Sequence, residues 1–256
     1  MNDDSQPART TIAPRRSADL IHYAVLGSFL FAAALTWAKL ISPLPSLEQT
    51  NWPDALLLLT ATAAALSSVS RTLAFQYVAW GALVIGVLGG TAHAIGTLAL
   101  IPFGPFVYTS AAGPKIFGVL PWMVPLLWIV FIYTSRGVAR LILQPWRWTR
   151  HYGFWLIGIT ALLSTILDLS FDPWAAGRKH FWIWELTRFP YTWKGTPLTN
   201  FAGWLATSTV LMAFVTPLLI NKQPGAKPVR ESGSLIIWLS LNVVFITALI
   251  RKTSAH

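Results

Sequence analysis

The sequence predicts an all-α fold: a polytopic membrane bundle of about seven transmembrane helices with a broken or re-entrant segment near residues 96–118. Three observations lead there. Apolar residues make up 54% of the chain and charged residues only 11%, where a soluble domain carries about 25%. Apolar runs of roughly twenty residues, the length that crosses a bilayer, recur along the chain. Arg and Lys sit at the ends of those runs, in "RRSAD", "SRGVAR", "QPWRWTR", "NKQPGAKPVR" and "IRKTSAH", where they anchor helix ends and meet anionic lipid head groups.

Residues 1–19 are polar and Arg-containing, without the short apolar core and cleavage site of a signal peptide. Residues 20–252 then read as a single transmembrane helical domain. The first span is expected at 20–41, followed by the loop "SPLPSLEQTNWPD". The second covers 55–70 and closes at Arg71; the third covers 72–95 and contains Gly89 and Gly90, which permit close backbone packing. The next stretch, "GTLALIPFGPFVYTSAAGPKIFG", is apolar but too rich in Pro and Gly for a regular helix. Backbone at membrane depth must be satisfied within the protein or by trapped water, so this stretch reads as a re-entrant segment lining a cavity, or else as an interfacial loop. Span four covers 119–143, with candidate kinks at Pro121 and Pro125. Span five covers 153–169 and is halted at Pro173. The aromatic loop 178–199 lies in the interface, and spans six and seven cover 200–220 and 234–250.

Several function classes are excluded or demoted. A formal charge of +10 suggests nucleic acid, but charges placed at span ends argue for a membrane partner instead. The absence of cysteine removes thiol catalysis and Cys-metal sites. His22, His93, His151, His180 and His256 show none of the short helical pairings that a metal site needs. No glycine-rich turn follows a strand, as a flavin or nicotinamide site would require. Asp168 and Asp172 form a DxxxD element like that of membrane prenyltransferases, yet Asp19, Glu48, Asp54 and Glu231 are scattered and supply no second acidic motif. No cofactor is expected.

Three of the nine acidic residues fall within "LDLSFDPWAAGRKHFWIWE". Asp168 and Asp172 are four apart and share a helical face. With Pro173 ending the helix, the pair is expected at its C-terminal pole, which disfavours a carboxylate by about 0.3–1 kcal/mol. Apolar surroundings and a like neighbour disfavour charge as well. One member of the pair is therefore a candidate general acid. The plainer alternative places both aspartates in the head-group layer or pairs them with Arg178 and Lys179. Trp174, Phe181, Trp182, Trp184, Phe189, Tyr191, Trp193 and Trp204 surround the acids in sequence. They form either an interfacial belt or a pocket whose ring faces stabilise a transient cation. Protonation of an alkene requires such an acid, such rings and controlled access for water.

Three blocks resemble the integral-membrane carotenoid biosynthesis family, whose known members hydrate carotenoids. "PFGPFVYTSAAGPKIFGVLPWMVPLLW" carries Pro102, Gly104, Tyr108, Gly113, Pro114 and Trp128. "LDLSFDPWAA" is followed by "FWIWE", and "YTWKGTPLTNFAGWL" completes the set. Where the family is expected to carry a glutamate ahead of the first block, this chain reads "AHAIG", with His93. The resemblance implies addition of water to the terminal double bond of an acyclic carotenoid end group in the bilayer. Asp168 or Asp172 donates the proton, and the other carboxylate or Glu185 takes one from water; His93 stands where the family's acid would. Trp174, Trp182, Trp184 and Tyr191 face the cation, with Tyr108, Trp128 and Trp204 as further pocket residues. Asn200 orients water, or simply caps span six. Anionic lipids and other carotenoid enzymes are the expected partners, in a prokaryotic cytoplasmic membrane. A cyclase or isomerase begins with the same protonation, and a non-catalytic lipid transporter is the alternative from another class.

Overall fold

The computed structural model describes residues 15–42, 50–185, 190–219 and 232–253. Residues 1–14, with Glu48, Phe189 and Glu231, lie outside that range. Among the described residues, seven helices are long and apolar enough to cross a membrane. They are α1 (Arg15–Ile41), α2 (Trp52–Ser70), α3 (Phe75–Ala99), α4 (Met123–Ile142), α5 (Tyr152–Gly177), α6 (Leu198–Val215) and α7 (Ser232–Thr253).

Helix α4 is the central rod. It is buried without a break from Leu127 to Ala139, and α2, α3, α5 and α7 pack around it. Glycines bring α3 close: a Cβ on Gly89 would stand 2.4 Å from Trp128 Cγ, so this contact exists only because residue 89 has no side chain. Pro125 does not kink α4. It is the third residue of the helix, where a backbone N–H has no intrahelical partner to lose.

Between α3 and α4 the chain is irregular, as the Pro and Gly content requires. Leu100 closes α3 in the left-handed region with φ 63°. Three short antiparallel ribbons then cover one end of the bundle. β1 (Phe106–Tyr108) pairs with β4 (Trp182–Trp184), β2 (Lys115–Ile116) with β3 (Leu120–Pro121), and β5 (Thr192–Trp193) with β6 (Thr196–Pro197). Thr109 N donates to Phe181 O and Glu185 N to Pro105 O. The segment after α3 is thus zipped to the aromatic loop, which satisfies its backbone inside the protein.

One expectation needs correction. Helix α5 does not stop at Pro173 but continues to Gly177. Proline removes the donor that would serve the carbonyl of Leu169, normally a break in the ladder. The Trp193 indole supplies the replacement, donating to Leu169 O at 3.1 Å. Asp168 and Asp172 consequently lie inside the helix rather than at its pole, and the dipole contribution anticipated from sequence falls away.

Candidate active site

Asp168 and Asp172 occupy one face of α5 a single turn apart, and both are enclosed, with 0% and 1% exposure. Asn200, in the first turn of α6, holds them together. Its Nδ2 donates to Asp168 Oδ2 at 2.8 Å and to Asp172 Oδ2 at 2.9 Å. Those lengths sum to 5.7 Å, the upper limit on the separation of the two acceptor oxygens. Asn200 lies within the helix and is not its cap, which is Pro197.

The two carboxyls have unequal company. Asp172 Oδ1 accepts from Trp184 Nε1 at 2.9 Å, from Thr196 Oγ1 at 2.9 Å and from Trp182 Nε1 at 3.4 Å. With Asn200, four donors converge on Asp172. Asp168 has Asn200 alone, and its Oδ1 has no partner among the described residues. Strand alternation explains the supply of indoles: in β4, Trp182 and Trp184 fall on one face while Ile183 faces outward. Thr196 arrives through the β5–β6 turn, where Gly195 takes φ 88°, a conformation that suits glycine.

The β1–β4 ribbon carries aromatics on its inner side. Tyr108 stands opposite Trp182 and Phe106 opposite Trp184, with ring centroids 6.1 Å and 5.2 Å apart. Tyr108 Oη lies 3.1 Å from His93 Nδ1, a bond whose direction follows the imidazole tautomer. Burial pushes the Tyr108 phenol well above its ordinary range, and the Asp172 charge adds to that. His93 stacks on Phe103 at 4.2 Å and meets Trp128 and Trp204 edge-on. Trp128 stacks on Trp204 at 4.0 Å, and Trp204 stands one helical turn beyond Asn200. Carboxylates, imidazole, phenol and indoles are therefore parts of one cluster.

Of the residues singled out from sequence, Asp168, Asp172, His93, Tyr108, Trp128, Trp182, Trp184, Asn200 and Trp204 come together here. Trp174 faces another way, packing on Phe181 and Phe245 beside a cavity. Glu185 and Tyr191 are exposed, so the structure gives no support to Glu185 as the base or to Tyr191 as a cation-facing ring. The plainer pairing of the aspartates with basic neighbours is not what forms. Lys179 Nζ bonds Asp54 Oδ2 at 2.7 Å, beside Lys39 at 2.8 Å from Asp54 Oδ1, and Arg178 donates to Ala248 O at 3.1 Å. Sequence reasoning missed Thr196, Phe131 and Phe171, and left Phe103, inside the "PFG" of the first block, without a role of its own. Thr196 was within reach, because it falls in the third block four residues before Asn200. Phe131 and Phe171 carried no signal that separates them from ordinary core residues.

Among the described residues no group of His, Asp and Glu is placed to hold a metal ion. Fold and site together define a polytopic helical membrane protein with a carboxylate pair enclosed in an aromatic cage. The chain belongs to the carotenoid biosynthesis protein family, whose model matches residues 53–254. It is 28% identical over 111 residues to a bisanhydrobacterioruberin hydratase from Haloarcula japonica, covering 43% of this chain and 34% of that protein. The matched region is thus about a third of the length of that relative. No solved structure matches the chain.

Proposed function

We propose that the protein is a cofactor-independent hydratase that adds water to the terminal double bond of an acyclic carotenoid end group. The observation that carries this reading is the unequal division of hydrogen bonds across a clamped aspartate pair. Two negative charges within 5.7 Å repel by at least about 3 kcal/mol at an effective dielectric near 20, so the pair is best served by holding one proton. Four donors fit Asp172 for the negative charge, and the single donor at Asp168 leaves that carboxyl to carry the proton.

Asp168 gives this proton to the less substituted carbon of the terminal alkene, and the alkene electron pair forms the new C–H bond. The resulting tertiary cation is stabilised by the surrounding ring faces, with Trp182, Trp184 and Tyr108 the nearest to the pair in the ribbon. Water adds to the cation and Asp172 takes the proton it loses. Return of that proton from Asp172 to Asp168 resets the pair, so the net change is alkene plus water to tertiary alcohol, with no redox partner. Asn200 touches both carboxyls and keeps acid and base in one geometry through the cycle. The name of the Haloarcula relative supports the reaction class, and the family match supports a carotenoid drawn from the bilayer. A prokaryotic cytoplasmic membrane, with anionic lipids at its surface and other carotenoid enzymes nearby, is the setting that suits this reading.

Enclosure of the pair favours one competing outcome: without water, the same cation closes a ring or loses a proton. Expression in a lycopene-accumulating host grown in ¹⁸O-labelled water decides between them. Hydration places one labelled oxygen in the product and leaves its visible absorption almost unchanged. A product with no added oxygen, or unaltered lycopene, overturns the hydratase reading.

A further inference from the structure

Against α5, and sharing Phe171 with the surroundings of the carboxylate pair, lies a cavity of about 230 Å³. Its walls are apolar, built from Leu58, Ala61, Phe131, Phe171, Trp174 and Phe245, and exposed Asn51 and Ser110 stand at its rim. Asp168 and Asp172 do not line it. A cavity of about 150 Å³ holds a six-carbon ring, so this one holds about nine or ten carbons, two isoprene units. The end of a long isoprenoid fits there, while the rest of the chain remains outside.

One feature of the wall is out of keeping with a purely hydrocarbon guest. Trp174 is 4% exposed, and its indole N–H has no partner among the described residues. Its neighbours Phe181 and Phe245 offer only ring faces, which are second-order acceptors. The Asp54 carboxylate, also on the wall, is occupied by Lys39 and Lys179. A buried donor left unmatched calls for an acceptor on the ligand.

We infer that this cavity binds the oxygenated end of an isoprenoid chain, its hydroxyl accepting a hydrogen bond from Trp174 Nε1. The inference rests on the hydratase reading above, because a tertiary hydroxyl is the group that reaction creates; the cavity then receives the product end after it leaves the carboxylates.

Myrcene and myrcenol are suitable probes. They are ten-carbon molecules that differ by the addition of water across the terminal double bond. Scintillation proximity with the tritiated probes, on the full-length protein in nanodiscs, should show myrcenol bound about tenfold more tightly than myrcene, the worth of one buried hydrogen bond. Trp174→Phe keeps the ring and removes the donor, and should bring the two affinities within about twofold of each other. Ala61→Phe, or the milder Leu58→Phe, fills the cavity and should abolish binding of both. Equal affinity for the two probes in the wild type, selectivity retained in Trp174→Phe, or binding undiminished in both filled variants overturns the inference. Product analysis of the wild type in the lycopene-accumulating host separates the two readings. Selective myrcenol binding in a protein that never hydrates lycopene leaves the cavity assignment standing and sinks the hydratase. Hydration without selective binding does the reverse.

Discussion

Asp168→Asn is the most informative substitution, because the surroundings of Asp168 make it structurally quiet. The amide oxygen can occupy the Oδ2 position and keep the bond from Asn200, now 2.8 Å long. The amide nitrogen then falls at the Oδ1 position, which has no partner among the described residues. One unmatched polar atom replaces another, so stability should change by less than about 1 kcal/mol. The proton, however, is gone. General acid catalysis contributes about 10²- to 10⁴-fold, or about 3–5 kcal/mol of barrier, and hydroxylated product should fall accordingly. Asp172→Asn is the contrasting case. Its amide nitrogen must face either the three donors at Oδ1 or the Asn200 amide at Oδ2, and loss of matched bonds should cost about 1–3 kcal/mol. Pigment chromatography from a lycopene-accumulating host reads activity, and thermal unfolding in detergent reads stability. If Asp168→Asn folds normally and still makes more than half the wild-type product, the assignment of Asp168 as acid is wrong.

Three further outcomes follow from particular contacts. Tyr108→Phe should remove a pH-dependent increment of stability. The native phenol is held above its ordinary value of about 10 while the unfolded phenol ionises there, so wild type should lose stability as pH rises past that point and Tyr108→Phe should lose less; parallel unfolding curves for the two proteins from neutral to alkaline pH would contradict the buried placement. Asp54→Asn removes the carboxylate shared by Lys39 and Lys179, whose side chains are 5% and 4% exposed, and should cost about 3–5 kcal/mol, read as a lower unfolding temperature and reduced yield. Gly89→Ala places a methyl 2.4 Å from Trp128 Cγ; displacement of that indole from Trp204 and His93 should destabilise by about 1–3 kcal/mol, and an unchanged unfolding temperature would show that α3 and α4 do not pack this closely.

Much of the architecture was legible in the chain. Run length and charge placement marked seven spans, since a bilayer demands about twenty apolar residues per crossing whatever their tertiary neighbours. The irregular stretch after α3 was legible from Pro102, Gly104, Pro105, Gly113 and Pro114, because no helix tolerates that spacing. The end of α5 was misread at Pro173. A proline stops a helix only when nothing replaces the hydrogen bond it removes, and the replacement is Trp193, twenty residues downstream. Local rules have no access to such a donor.

The site divides in the same way. A four-residue spacing was sufficient to place Asp168 and Asp172 on one face, and the residue types were sufficient to suggest proton transfer to an alkene. Which carboxyl receives four donors and which receives one was not readable. That depends on Trp182, Trp184, Thr196 and Asn200 arriving from a ribbon, a turn and a second helix. By itself, the sequence determined the solvent, the number of crossings and the adjacency of two acids, because periodicity and hydrophobicity act over a few turns of chain. Tertiary structure alone decided that the acids are enclosed, that one amide spans them, and that Glu185 and Tyr191 stay outside. Those outcomes depend on contacts between segments far apart in the chain, where burial and hydrogen-bond geometry, rather than spacing, set the energy.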